Sequence, residues 1–334
     1  MQILSAIEAI IGLASKLIFI YLAIALGVLW RFSRFYREEV GKRFTQFTIW
    51  ILFPINILVA ILGIESIELS TLIGIGILAV LIHVVSYLSL VSIKRISRRN
   101  RIIDDNPSIG AQAMTATFPN ALLYPFPIIL ATVGDQGLPF AAIFVFFVMI
   151  LRNSLGVFIG VQHTEGNHEV GTSLDIQKIV IEVMKFPPFI ATILGFAILV
   201  LIGPQDVQTP SVQLAKEFAI WGSLLLVGLS FQDLAQLKPN FLFSQKTLEV
   251  ASVRFAVAPF FGLLFALFWR FPPLISFALM IQCMGPPAVA NILYGRLFEL
   301  PEDEISVYIT SVTFLGLLLL PLEILVLSAI FPLN

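Results

Sequence analysis

Thr115-Ala-Thr-Phe-Pro119-Asn120-Ala-Leu-Leu-Tyr124-Pro125-Phe-Pro127 and Cys283-Met-Gly-Pro286-Pro287-Ala-Val-Ala-Asn291-Ile-Leu-Tyr294-Gly295 are the two stretches on which the fold turns. Each lies in a long apolar segment, and each is broken by proline. Pro119 and Pro286 stand 167 positions apart (286 − 119), half of the 334-residue chain. A proline inside a helix removes a backbone donor and clashes with the carbonyl one turn back. Hydrocarbon tolerates such a break only where the freed groups are buried in protein or line a polar cavity. A matched pair of interrupted helices therefore points to the binding site of an inverted-repeat transporter.

The composition agrees. Hydrophobic residues make up 58% of the chain and charged residues only 12%, where a soluble domain carries about 25% charged residues. The mean hydropathy is +0.96. Many apolar runs reach the roughly 20 residues that span a bilayer, so an integral membrane protein is expected. A net charge of −1 carries no basic footprint for nucleic acid. Cys283 is the only cysteine, which leaves no disulfide framework and no thiolate metal site. No cofactor is expected. Glu8 stands where a cleavable signal would carry Lys or Arg, so the first helix is expected to be retained.

Ten spans are predicted, at about 8–30, 44–63, 71–93, 108–133, 138–160, 186–203, 215–235, 248–269, 273–295 and 304–330. Arg31, Arg34, Arg37, Lys42 and Arg43 crowd the first loop, and Lys94, Arg95, Arg98, Arg99 and Arg101 crowd the third. The stretches 64–70, 134–137 and 204–214 have no Lys or Arg. This positive-inside alternation puts the basic loops in the cytoplasm and both termini outside the cell membrane. A polar linker at 161–185, on the cytoplasmic side, separates a first five-span repeat, 1–160, from a second, 186–334. An odd span count per repeat makes the second enter the membrane inverted. The predicted fold is thus all-α, a five-plus-five inverted repeat with broken helices four and nine crossing.

The physics of the break suggests a ligand. The N-terminal end of a half-helix carries roughly half a positive charge, and the residues after Pro119 and Pro287 are expected to begin such second halves. Two of these ends meeting near the midplane suit an anion. Asn120, Asn291, Thr117 and Tyr124 supply polar groups there, although Asn120 also serves well as a simple cap. Arg152 and Asn153 lie deep in span five. A guanidinium at that depth costs at least about 2.5–3.5 kcal/mol uncompensated and suits a carboxylate, unless it snorkels to the interface. His83, midway along span three, is a proton-coupling candidate or a packing histidine. Gly156 and Gly160 form a close-packing GxxxG. His163 and His168 lack a third imidazole nearby, and no metal site is expected.

Three of these stretches resemble the auxin efflux carrier family, which includes plant PIN proteins and prokaryotic organic-acid exporters. The run from Phe118-Pro119-Asn120 through Tyr124-Pro125-Phe-Pro127 to Gly134 is similar to the family's fourth-span signature. Lys185-Phe-Pro187-Pro188 through Gly195 is similar to the opening of its sixth span. Gly285-Pro286 through Tyr294, with Pro301, Asp303 and Pro321, is similar to spans nine and ten. The resemblance implies a fold like that of bile-acid and sodium/proton transporters, with spans one, two, six and seven as a scaffold and the other six as a moving transport domain. It implies that Pro119 and Asn120 contact a carboxylate, with Pro286 and Pro287 on the opposite arm and Asn153 near the polar position of span five. It leaves room for a homodimer through the scaffold helices. The stretch Glu65–Gly76 lacks the lysine of the acid-and-lysine pair that plant members carry there, which argues against auxin itself.

The expected function is that of a secondary transporter exporting a small organic anion by alternating access within the lipid bilayer. Export down an inside-negative potential gains about 2.3 kcal/mol per charge per 100 mV without a coupled ion. The rivals are a sodium- or proton-coupled symporter of the same fold and a membrane sensor that binds without transport. No hydrolase motif is present, so an enzyme is not expected.

Overall fold

Proline, glycine and a few side-chain caps cut a nearly continuous apolar chain into helices. The computed structural model describes residues 2–64, 68–99, 105–164, 181, 185–205, 209–231 and 238–333. Most of the 161–185 linker, His168 and Glu65 lie outside the described residues.

The main helices in order are α1 (Gln2–Arg31), α2 (Glu38–Leu62), α3 (Leu69–Arg99), the broken pair α4a (Asn106–Thr117) and α4b (Pro125–Thr132), and α5 (Asp135–His163). They continue as α6 (Pro187–Ile202), α7 (Pro210–Leu229), α8 (Gln245–Trp269), the broken pair α9a (Pro273–Cys283) and α9b (Asn291–Leu297), and α10 (Glu302–Ile330). Among the described residues α2, α3, α5, α7, α8 and α10 are long and apolar enough to cross a membrane; Leu17–Arg31, α6 and α9a are shorter apolar helices.

The starts of these helices follow from local chemistry. Asp105, Thr209 and Ser244 accept a backbone N–H from the third residue on, at α4a, α7 and α8 respectively. Pro187, Pro210 and Pro273 occupy first-turn positions, where a missing N–H costs nothing. α6 ends on Gly203 at φ 93, a left-handed conformation that suits glycine.

α1 packs most extensively on α7, and α2 on α6. This group meets the rest of the molecule through α4b and the first half of α5. In the remainder, α3 packs on α5 and α8 packs on α10, while α4a lies against α10 and α9a against α5. A buried Lys94–Glu249 ion pair ties α3 to α8. Lys216 of α7 reaches Asp135, at the α4b–α5 turn, at 3.3 Å. Pro321 sits inside α10 and cannot donate to the carbonyl of Leu317. The Tyr21 hydroxyl of α1 donates to that carbonyl instead, at 2.5 Å.

Candidate functional site: the crossing of two broken helices

α4a ends at Thr117 because Pro119 disfavours helical backbone at Phe118, which is extended at φ −105, ψ 105. α9a ends at Cys283, ahead of Gly285-Pro286-Pro287. The two breaks meet. Pro119 and Pro287 face each other as an antiparallel bridge. Neither can donate, so their neighbours do: the N–H of Asn120 donates to Pro286 O at 2.6 Å, and that of Ala288 to Phe118 O at 3.1 Å. The Asn291 amide donates to Phe118 O at 3.2 Å. A Cβ at Gly285 would stand 3.2 Å from the Asn120 carbonyl oxygen, so the close crossing favours glycine there.

The second halves do not begin directly after Pro119 and Pro287, as the proline positions alone suggest. α4b starts at Pro125 and α9b at Asn291. The physical reason is the Pro125-Phe-Pro127 run, which fits a helical first turn and leaves Asn120 in an irregular segment. There the Asn120 side-chain oxygen accepts the N–H of Leu123 at 3.0 Å, an Asx turn rather than a cap of α4b. Pro125 and Pro127 carry no N–H, and α9b has only seven residues. Helix ends therefore supply less positive field than the spacing implies.

Side chains supply more. Arg152 lies on a π-helical turn of α5, Arg152–Gly156. It does not snorkel outward. Its guanidinium lies 5.4 Å from the centroid of the Phe118 ring, and its Nη2 donates to Pro119 O at 3.4 Å. Its Nε is buried without a partner. Next to it, Asn153 donates to Met149 O at 2.5 Å and accepts from the Tyr294 hydroxyl at 2.8 Å. α5 is thereby bonded to both arms of the crossing.

Arg254 escapes the sequence reading altogether. It sits on a second π-helical turn, Val253–Val257 of α8, and is fully buried. Its Nε donates to Gly285 O at 2.9 Å, Nη2 to Cys283 O at 2.8 Å and Nη1 to Ala116 O at 3.5 Å. One guanidinium thus joins the C-terminal ends of α4a and α9a. The sequence does carry a signal for it, since a cation inside an apolar span is a functional candidate by default.

Buried polar atoms cluster on the crossing segments. Thr117 Oγ1, Asn291 Oδ1 and both amide atoms of Gln282 have no hydrogen-bond partner. Buried polar groups are ordinarily paired, so this unpaired set makes the crossing the candidate site. Tyr124 is not among them: its hydroxyl points to α10 and donates to Gly316 O at 3.3 Å. His83 is fully buried beside Phe118, ring centroids 5.3 Å apart, with Nδ1 at 2.7 Å from Ala79 O. Its Nε2 has no partner. The His163 ring bonds the Asn106 side chain at 2.9 Å, and no group of three metal-binding side chains occurs among the described residues.

The model of the family described as "Membrane transport protein" matches residues 13–324 of this chain. No curated protein matches it significantly.

Proposed function

The chain belongs to the membrane transport protein family, the family of the auxin efflux carriers, and we propose that within it this protein is a secondary transporter that exports a small organic anion, a mono- or dicarboxylate. It is a multi-pass membrane transporter and not an enzyme. The finer reading has ten crossings in two inverted repeats of five, with both termini outside the cell.

Helix packing supports that repeat. Adding five to each helix number turns the α1–α7 pair into α6–α2, the α3–α5 pair into α8–α10, and the α4a–α10 contact into α9a–α5; each counterpart is a packed pair. In this reading α1, α2, α6 and α7 form the scaffold, and the other six helices move against it. A homodimer would form through the scaffold.

The observation that carries the anion reading is the crossing itself. Two prolyl breaks meet beside an inward-turned guanidinium with an unpartnered Nε. Arg152 holds the carboxylate by a charge-assisted bond. The Asn120 amide N–H groups donate to it, while the Asn120 oxygen is kept by Leu123. The Thr117 hydroxyl and the second amide N–H of Asn291, whose first is held by Phe118 O, complete the donors at the same crossing. Asn153 positions the α5 turn rather than the substrate, because both ends of its amide are already bonded.

Efflux of labelled carboxylates from proteoliposomes tests this. Wild type should exceed empty liposomes, with Asn120→Ala well below wild type. Equal efflux from the two proteins removes Asn120 from the site, and no carboxylate efflux from wild type removes the anion reading.

A further inference from the structure

A crossing of two broken helices carries a handicap for an anion. The first halves, α4a and α9a, bring their C-terminal ends to it, and each such end carries roughly half a negative charge on its unpaired carbonyls. Together that amounts to about one negative charge at the place where a carboxylate is to sit. α4a has 12 residues and α9a has 11, enough for full C-terminal ends. The second halves offset this poorly, because α4b opens on Pro125 and Pro127 and α9b is a seven-residue helix.

Arg254 meets this handicap with a single group. It bonds Ala116 O from the last turn of α4a, and Cys283 O and Gly285 O from the end of α9a and the break that follows. Its guanidinium makes no ion pair among the described residues. One unit of positive charge is therefore placed against two half-units of negative charge. Arg254 is fully buried and each of its three nitrogens donates to a backbone carbonyl, so its charge acts from behind the site rather than by touching the ligand.

We propose that Arg254 sets the charge preference of the crossing: it cancels the negative ends of both first half-helices, so that a carboxylate is accepted where it would otherwise be repelled. Arg254 is a positioning and selectivity residue, and Arg152 remains the cation that touches the ligand. This inference rests on the anion reading above.

The readout is a ratio that a merely structural role leaves unchanged. Binding to purified protein is measured for acetate, benzoate and succinate, each against its own amide. Wild type should favour the acids by about tenfold or more. Arg254→Gln keeps hydrogen-bond donors but removes the charge, and should bring the acid-to-amide ratio down about tenfold, towards one. Arg254→Lys keeps the charge and should hold the ratio within about twofold of wild type, even where it weakens all ligands together. A folded Arg254→Gln protein with the wild-type ratio overturns the proposal. So does a folded Arg254→Lys protein whose ratio has collapsed, and this arm decides the matter if the Gln variant does not fold. A wild type with no acid preference for any pair instead removes the anion reading on which the proposal stands.

Discussion

Two arginines approach the same crossing from π-helical turns on different helices, yet they are used in opposite ways. Arg254 of α8 commits its donors to three backbone carbonyls and is fully buried. Arg152 of α5 makes a single bond, to Pro119 O at 3.4 Å, lies 5.4 Å from the Phe118 ring centroid and keeps an unpartnered Nε. The contrast teaches that a membrane-buried cation is read by what its donors already hold. A guanidinium whose every nitrogen donates to the backbone is part of the framework, and one with a nitrogen left over offers a donor to a ligand.

The strongest separation of the two should come from stability. Arg254→Met strands three carbonyls in a buried site and should cost about 3 kcal/mol, since a buried group left unpaired costs roughly 1–3 kcal/mol. Thermal unfolding in detergent measures it. An equal loss in Arg152→Met would erase the distinction.

Transport should then show the reverse order. Arg152→Met should unfold within about 1 kcal/mol of wild type while raising the half-saturating carboxylate concentration about tenfold, the loss of one charge-assisted contact. Concentration series in proteoliposomes give the half-saturation and thermal unfolding the stability; unchanged half-saturation would place the ligand elsewhere. Asn120→Ala should follow with an increase of about fivefold, since a neutral donor is weaker than a charged one. Its loss of the Leu123 bond should add about 1 kcal/mol of instability. Tyr294→Phe should do least. It removes one hydroxyl from Asn153 and should cost about 1 kcal/mol, with half-saturation nearly unchanged if Asn153 only braces the α5 turn.

The breaks are legible in the sequence because proline has few ways to behave in a helix. Pro119 and Pro286 read as an interrupted pair, and the two breaks meet in space, with Pro119 facing the next proline, Pro287, and Pro286 O accepting from the N–H of Asn120. The ends of the breaks are less legible. Pro125 and Pro127 look like further disruption in one dimension, but at a helix start they fit, and α4b begins there. Arg152 stands out by its depth in an apolar span, and its side chain turns inward. Arg254 is harder to see because it lies only nine positions after the start of α8 at Gln245, a depth from which a long side chain can reach an interface. What distinguishes it is three carbonyls from remote parts of the chain, and no local pattern encodes those. Tyr124 misleads for the same reason: its place in the break is local, but its hydroxyl answers to Gly316 on α10.

The seam between α1 and α10 has a mechanical consequence. Pro321 leaves the Leu317 carbonyl dependent on Tyr21 from the opposite helix. If α10 slides along α1, that oxygen is stripped of its donor in a medium that offers no replacement. The seam should thus favour a few discrete registers over gradual creep, and travel between them should proceed in jumps.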